Sequence, residues 1–285
     1  MNLSNKLFLI SIAIFSYFLF VLMDSIAKYL SEYISTSQIV WGRYFFHMVL
    51  MLLIYLFSFK KINLTKNFSV QIIRSLCLVA CTFLTYLAVK YNDLINFYII
   101  FFTTPLFVSI FSYFFLKEKL SRFSIILIIL SFITIIYALQ PNETFLTIYI
   151  LLPLLTSIFF ALYQLLTKVV SRDKEPFVAL FYTGILGSII FSIIVIFNWQ
   201  PILDSSTWLV LFFLGFIGYL SHFIFAYVLQ SLDLSFITNF QYSQLIWASI
   251  INVYFFNDPL STSKIIGVIL IIFFGVMFVQ NRFKT

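Results

Sequence analysis

The sequence predicts an all-α polytopic membrane protein with ten transmembrane helices, arranged as two inverted five-helix repeats with both termini in the cytoplasm. Hydrophobic residues make up 62% of the 285 residues, charged residues only 9%, and the mean hydropathy is +1.08. Soluble domains carry about 25% charged residues. Lipid is therefore the expected solvent for most of this chain, and two further observations, the segment lengths and an internal repeat, define its topology.

Charged or turn-forming breaks divide the chain into ten apolar segments. Each is close to the roughly 20 residues that a helix needs to cross the hydrocarbon. Short loops join them, which leaves no room for a soluble domain. The predicted helices span 7–30, 37–59, 68–91, 94–116, 122–140, 145–168, 176–198, 207–231, 234–256 and 262–281.

A constant offset of 140 residues relates the two halves of the chain. Each half holds five segments, an odd number, so the second copy must enter the bilayer from the opposite side. We expect a first repeat at 1–140 and a second, inverted repeat at 141–285. The matches are Lys28 with Lys168, Asp93 with Asp233, Leu94 with Leu234, and Glu118-Lys119-Leu120-Ser121 with Asp258-Pro259-Leu260-Ser261.

The basic residues fall mainly on one side of this topology. Both termini are predicted to be cytoplasmic, because Lys and Arg accumulate in cytoplasmic loops. The net charge of +7 then reflects topology and anionic lipid rather than nucleic acid, which is not an expected partner. The inside ends hold Lys6, Lys60, Lys61, Lys66, Lys117, Lys119, Arg122, Lys168, Arg172, Lys174, Arg282 and Lys284; the outside ends hold chiefly Lys28, Lys90 and Lys264.

Helix one carries the most deeply placed acid of the chain. The apolar run before Asp24 lacks a small-residue cleavage site, so we interpret it as a retained span. Lys28 follows Asp24 at the spacing of an intrahelical ion pair. Asp24 is therefore either a substrate or proton site or part of a local pair. Its repeat equivalent is the neutral Gln164, which predicts that both positions face a shared cavity.

Helices two and three add buried basic groups. Arg43 lies too deep in helix two for an ordinary lipid-facing arginine, so a cavity or carboxylate partner is favoured over snorkelling. His47 follows one turn later and is either a substrate ligand or a neutral structural histidine. Arg74 is either a headgroup anchor or a second positive charge at the site. Cys77 and Cys81 are expected to be apolar packing, with no metal.

Helices four and nine are predicted to line the site and move. Pro105 frees a backbone carbonyl in helix four and permits bending. Polar groups in lipid need partners, so the cluster in helix nine either bonds between helices or contacts substrate. His222 on helix eight is a further intramembrane candidate. The helix-nine cluster contains Asn239, Gln241, Tyr242, Ser243 and Gln244, and Trp247 follows it.

Catalytic and cofactor signatures are absent from the sequence. It contains no Gly-rich phosphate loop, no His-Glu-x-x-His spacing and no nucleophile elbow. We therefore predict no enzyme activity, no cofactor and no metal. Glu118 and Asp258 stand beside Leu-Ser at equivalent helix ends, where capping of the next helix is favoured over a coupling-ion role. The expected partners are a small-molecule substrate and the lipid bilayer, with a homodimer left open.

Several stretches in order resemble EamA-type transporters of the drug/metabolite transporter superfamily. The resemblance covers nearly the whole chain and implies ten helices in an inner, cytoplasmic membrane that move a small organic metabolite. The stretches include Asp24-Ser-Ile-Ala-Lys28, Trp41-Gly42-Arg43, Arg74-Ser75-Leu76, Phe101-Phe102-Thr103-Thr104-Pro105, Phe181-Tyr182-Thr183, Ser221-His222 and Phe240-Gln241-Tyr242-Ser243-Gln244.

The function expected from the sequence is alternating access by a secondary transporter. Two candidate arginines against one buried acid favour an amino-acid-, nucleoside- or vitamin-like substrate with an anionic or zwitterionic group. A passive channel or structural subunit is the alternative, and proton coupling, exchange and facilitated diffusion stay open. The candidate substrate-binding residues are Asp24, Arg43, His47, Arg74, Gln164, Tyr182, His222, Gln241, Tyr242 and Trp247.

Overall fold

A computed structural model of the protein describes residues 3–58, 67–116, 122–140, 148–171 and 176–284. Within these ranges all regular structure is helical, which confirms the predicted all-α class. The helices are α1 Leu3–Leu30, α2 Thr36–Ser58, α3 Phe68–Tyr91, α4 Leu94–Phe101, α5 Thr104–Leu116, α6 Arg122–Leu139, α7 Ile148–Ser171, α8 Pro176–Ile196, α9 Ser205–Leu229, α10 Leu234–Ile237, α11 Ser243–Phe255 and α12 Thr262–Lys284, with a 3-10 helix at Thr238–Tyr242.

Within the described ranges, seven helices are long and apolar enough to cross a membrane by length and composition. Two further apolar helices, Ile125–Leu139 and Thr262–Met277, are shorter. The seven candidate spans are Ser4–Leu30, Thr36–Phe57, Phe68–Tyr91, Leu94–Phe115, Leu151–Ser171, Pro176–Ile196 and Ser205–Leu229.

The predicted helices four and nine are each interrupted near their middle. Helix four divides into α4 and α5, because Pro105 has no N–H to bond the Phe101 carbonyl. The Thr104 hydroxyl donates to that carbonyl instead, at 2.6 Å. Helix nine divides into α10, the 3-10 helix and α11 without a proline. The structure therefore divides both predicted segments into shorter helices, and the bending expected at Pro105 falls at the break in helix four.

A lysine clamp recurs in both halves at the 140-residue offset. In each half the ammonium of a lysine on the first helix donates to two carbonyls at the end of the third, and a serine three residues later donates to the lysine carbonyl. Such bonds satisfy helix-end carbonyls that have no partner within their own helix. The bonds are Lys28 to Val89 (3.2 Å) and Asn92 (2.9 Å), Ser31 to Lys28 (2.6 Å), Lys168 to Leu229 (3.0 Å) and Leu232 (2.8 Å), and Ser171 to Lys168 (2.8 Å).

Helix packing keeps the same pattern when the two halves are exchanged. The exchange turns α1 into α7, α2 into α8, α3 into α9 and α6 into α12. The most extensive contacts are α3 with α7 and its equivalent, α1 with α9. The self-equivalent pairs α2 with α8 and α6 with α12 also pack closely. An axis of approximate two-fold symmetry therefore passes between α2 and α8, and the two halves pack into one hydrophobic core.

Two helices begin with a side-chain oxygen that accepts hydrogen bonds from the backbone N–H groups of the first turn. Asp204 begins α9, where its carboxylate accepts the N–H groups of Ser206 and Thr207, each at 3.2 Å. Hydrogen bonds from the Ser206 side chain and backbone hold the pKa of Asp204 below its usual value. At α12 the Ser261 hydroxyl accepts the Lys264 N–H at 3.4 Å. The equivalent stretch at 118–121 lies outside the described residues, so capping there stays a prediction.

Glycines on α8 let α2 approach the symmetry axis closely. A Cβ added at Gly187 would lie 2.3 Å from Cγ of Tyr44, and one at Gly184 would lie 3.2 Å from Cδ2 of His47. Positions 44 and 184 are repeat equivalents, as are 47 and 187. The first repeat thus places large side chains where the second has glycine, and each large side chain packs against the opposite glycine.

The Gly187→Val substitution should destabilise the protein by roughly 1–3 kcal/mol, because the added side chain overlaps the Tyr44 ring in a packed core. Thermal unfolding in detergent, followed by intrinsic fluorescence, measures this loss. The matched control is Ile189→Val on the exposed side of the same helix, which should change the unfolding temperature little. An unchanged temperature for the Gly187 variant would contradict the close α2–α8 packing.

Candidate functional site

A small cavity lies near the symmetry axis, between the two halves. Its volume is about 30 Å³, room for one or two water molecules, since about 10–15 Å³ suffices for one. Sites for small organic ligands measure roughly 300–1,000 Å³. The structure is therefore closed around its centre, and a small organic ligand would fit only if the cavity widened. The lining residues are Phe20, Met23, Asp24, Arg43, Leu78, Cys81, Thr82, Thr85, Tyr86, Phe101, Phe160, His222 and Gln244.

Asp24 supplies the negative group of the cavity. It is buried, and Tyr98 donates its hydroxyl to Oδ2 at 2.7 Å. The other oxygen, Oδ1, has no hydrogen-bond partner in the part of the chain that the structure describes. Lys28 does not form the expected intrahelical pair with Asp24, because its ammonium bonds the carbonyls at the end of α3. Asp24 thus keeps a free acceptor beside the cavity.

Arg43 supplies the positive group of the cavity. Its three guanidinium nitrogens contact Met23 Sδ at 3.2 Å, Thr82 Oγ1 at 2.5 Å and His222 Nε2 at 2.8 Å. Thr82 and His222 are repeat equivalents, so Arg43 is held on the symmetry axis by one residue from each half. Among the described residues, the ion pairs are Lys168–Asp233 and Lys264–Asp93, and no carboxylate pairs with Arg43.

The tautomer of His222 follows from its neighbours. Arginine can only donate, so His222 Nε2 must accept from Arg43 and the ring proton must sit on Nδ1. That N–H then donates to the Tyr163 hydroxyl at 2.9 Å. The neutral ring packs on Phe20, with 4.7 Å between ring centroids. His222 therefore holds Arg43 in place and joins α2 to α7 and α9.

Arg74 and His47 are buried but do not line this cavity. Arg74 has no exposed surface, which contradicts the headgroup-anchor interpretation. Its donors reach neutral groups of the protein, at Gln71 (3.3 Å), Thr183 (2.7 Å) and the Ala179 carbonyl. His47 packs against Gly184 and the Tyr219 ring, and neither ring nitrogen has a partner.

The remaining candidates lie around the cavity rather than in its lining. Gln164 donates to Gln241 Oε1 at 3.2 Å. Tyr242 stacks on Phe102 with 5.2 Å between centroids and lines a separate small pocket of about 20 Å³ beside the break in helix four. Trp247 sets its ring edge-on to Phe18. Tyr182 packs against Phe68, with 5.8 Å between centroids. The structure thus brings Asp24, Arg43 and His222 together in one lining and leaves the other candidates outside it.

Sequence reasoning missed several lining residues, because hydroxyl and aromatic side chains are common in membrane helices. Thr82, Phe20 and Phe160 carry no charge that would single them out. The same holds for Tyr98, which lies outside the lining and bonds Asp24. The repeat could have revealed them: Phe20 and Phe160 are equivalents, and their rings meet at 6.0 Å. Thr82 is the equivalent of His222, which the sequence did single out.

The second half contains a neutral copy of the Asp24 pair. Positions 24 and 98 correspond to 164 and 238, where Thr238 lies 3.4 Å from Gln164 Oε1. Tyr163 stands at the position equivalent to Met23 and reaches His222 at the axis. The acidic group is therefore confined to one side of the axis, and a ligand in the cavity would meet an asymmetric site.

A model described as the EamA-like transporter family matches residues 7–140 and again residues 147–280. The chain belongs to the EamA-like transporter family. Two proteins named S-adenosylmethionine uptake transporter are similar to this EamA-like chain over 250 residues, or 87% of its length. The protein of Rickettsia conorii is 26% identical with 84% of its own length covered, and that of Rickettsia bellii is 26% identical with 85% covered.

A solved crystal structure of a protein also shares the fold of this EamA-like chain. It superposes with a TM-score of 0.73 at 14% identity, and the match covers 100% of both chains. This likeness concerns the fold alone. The family and the transporter relatives confirm the resemblance seen in the sequence and the absence of enzyme function. The EamA-like chain is a multi-pass membrane protein that transports a small metabolite.

Proposed function

We propose that this EamA-like protein is a secondary transporter that moves a zwitterionic, amino-acid-type metabolite across the cytoplasmic membrane by alternating access. The observation that carries this proposal is the pairing of Asp24 and Arg43 in one central cavity without an ion pair between them. Both side chains are buried. Asp24 can bind a positive group of a ligand, and Arg43 can bind a negative one.

The two charges favour a zwitterion over a singly charged substrate. Burying an isolated charge is costly unless a partner compensates it. A substrate carboxylate would pair with Arg43, whose planar guanidinium suits two-point contacts. A substrate ammonium or sulfonium would take the free Oδ1 of Asp24 and face the nearby rings of Phe20, Phe101 and Phe160.

S-Adenosylmethionine is the first substrate to test. The two Rickettsia relatives are named for its uptake. Its carboxylate suits Arg43, and either its ammonium or its sulfonium suits Asp24. A closed cavity of about 30 Å³ is also what an occluded carrier requires, whereas a channel needs a polar path through the membrane.

The proposed topology has ten spans, cytoplasmic termini and repeats at 1–140 and 141–285 that move relative to each other. Its support is the matched lysine clamps and the helix packing that persists on exchange of the halves. The concentration of Lys and Arg on one side of the chain supports the orientation. The α2–α8 contact on the axis is then the surface across which the halves rock.

Asp24→Asn should raise the half-saturation concentration for S-adenosylmethionine roughly 10- to 100-fold, because a hydrogen bond to a charged group contributes about 1.5–3 kcal/mol. The measurement is uptake of labelled S-adenosylmethionine into proteoliposomes. Wild-type uptake should saturate with increasing external substrate. It should also become faster when unlabelled substrate is loaded inside the proteoliposomes.

The matched control is Asp233→Asn, which removes an exposed carboxylate near Lys168 at 4.0 Å. Its half-saturation should stay within about twofold of wild type, since exposed ion pairs contribute little. Linear uptake that unlabelled zwitterions do not compete would rule out the carrier. Normal half-saturation in the Asp24 variant would remove this carboxylate from the site.

A further inference from the structure

The broken helix of the second half carries three polar atoms that have no hydrogen-bond partner among the described residues. These are Gln241 Nε2, Gln244 Oε1 and Trp247 Nε1, each shielded from solvent. The three residues follow one another at a spacing of three. Residues three apart lie on the same side of a helix, and they nearly eclipse each other in a 3-10 turn. A donor, an acceptor and a donor therefore follow each other along one side of this segment.

The two glutamines stand out because buried side-chain amides are nearly always hydrogen-bonded. Gln241 is 0% and Gln244 1% exposed. Gln164 uses only the oxygen of the Gln241 amide, at 3.2 Å, and leaves its nitrogen free. Gln244 lines the central cavity. Gln244 thus brings a free amide oxygen to the cavity lining, and Gln241, with a free amide nitrogen, precedes it by three residues on the same segment.

Aromatic rings border the same space. Phe101 and Phe160 lie 5.3 Å apart, and Phe20 lies 6.0 Å from Phe160. All three line the cavity. A flat ring entering a widened cavity would stack on these faces, as nucleobases stack on aromatic side chains. A glutamine amide matches the adjacent donor and acceptor on the edge of adenine.

The side-chain amides of Gln241 and Gln244 have no counterpart at the equivalent positions of the first half. The repeat equivalents of Gln241 and Gln244 are Phe101 and Thr104, so the first half offers a ring and a hydroxyl there. The Thr104 hydroxyl is already bonded to the Phe101 carbonyl at 2.6 Å. At these equivalent positions of the described chain, the free amide groups therefore belong to the second half.

We propose that Gln241 and Gln244 form an amide subsite that binds the hydrogen-bonding edge of a planar nitrogen heterocycle, such as adenine, joined to the zwitterionic part of the substrate. This proposal rests on the proposed function, because it places the heterocycle next to the Asp24–Arg43 site. Widening of the cavity lets the ring slide between Phe101 and Phe160 while its edge reaches the amides.

Two ligands separate the subsite from the charge site. S-Adenosylmethionine and S-methylmethionine share the carboxylate, the ammonium and the sulfonium, but only the first carries a base. Titration calorimetry with the purified full-length protein in lipid nanodiscs should give roughly 10- to 100-fold tighter binding of S-adenosylmethionine by the wild type. Gln244→Met and Gln241→Met keep the side-chain size and should each reduce this ratio at least about fivefold.

Gln230→Met is the matched control. Gln230 also has a shielded Nε2 without a partner, but it lies at the end of α9 and outside the cavity lining. The ratio should stay at the wild-type value in this variant. Both ligands are titrated into the same sample, so partial unfolding lowers the stoichiometry and leaves the ratio of affinities unaffected.

The outcomes distinguish the two proposals. Wild-type protein that binds both ligands equally would overturn the amide subsite while supporting the zwitterion site. An unchanged ratio in both subsite variants would overturn it too. Wild-type protein that binds neither ligand would contradict the proposed function itself.

Discussion

Replacing Arg43 by methionine should lower uptake at subsaturating substrate by roughly 30-fold to several thousand-fold. Truncating one partner of a buried, hydrogen-bonded charge pair costs about 2–5 kcal/mol, and each 1.4 kcal/mol is a tenfold change. Arg43 is 1% exposed and lines the cavity, where no carboxylate of the described residues pairs with it. A substrate carboxylate would therefore be its direct ion-pair partner, in addition to Asp24, which lines the same cavity beyond ion-pair distance.

Two further variants test whether the loss in Arg43→Met comes from the charge and planar shape of this guanidinium. Arg43→Lys keeps the charge but cannot reach Thr82 and His222 together in one fixed plane, so we expect an intermediate loss. Arg74→Met is the contrast, because Arg74 donates hydrogen bonds to neutral groups of the protein outside the cavity. It should lower the unfolding temperature and leave half-saturation nearly unchanged.

The readout is the initial uptake rate in proteoliposomes, normalised to folded transporter, with the unfolding temperature measured for each variant. Half-saturation of Arg43→Met within about threefold of wild type would contradict a carboxylate contact at this position. A loss of substrate affinity in a stable Arg74→Met protein would move the anionic subsite from Arg43 to Arg74.

Much of the fold could be predicted because lipid imposes simple rules on sequence. Length and apolarity give the helices, and the 140-residue offset gives the symmetry; Lys28 and Lys168 form matching clamps. The interruption of helix nine had no such local signal. Pro105 marks the break in helix four, whereas the second break carries no proline and is implied only by its equivalent position in the first half.

The site was only partly predictable from sequence. Charge in an apolar helix identified Asp24 and Arg43, and both line the cavity. The same criterion selected Arg74 and His47, which lie outside its lining. Polarity says that a side chain must be shielded from lipid, but helix rotation and neighbouring helices decide whether it faces a cavity or another helix. Tyr98 carries no charge, so only the structure reveals its bond to Asp24.

Cys81 offers a native probe of alternating access. It lines the cavity on α3, four residues after Cys77. Cys77 instead borders an apolar crevice together with Phe83, Phe159 and Ile190. Both thiols are free. If the halves rock around the central cavity, water and a charged thiol reagent reach Cys81 from each side of the membrane in turn, while Cys77 stays among apolar side chains.

The most direct test of the central claim is the rate at which a membrane-impermeant methanethiosulfonate labels Cys81 in a Cys77→Ala background, measured in right-side-out and inside-out vesicles. We predict labelling from both sides. S-Adenosylmethionine at ten times its dissociation constant should slow labelling about 10-fold on each side, because only the free cavity reacts. Cys81→Ser, which retains Cys77, should remain unlabelled. Labelling of Cys81 from one side only, at a rate that substrate does not change, would contradict alternating access around this cavity.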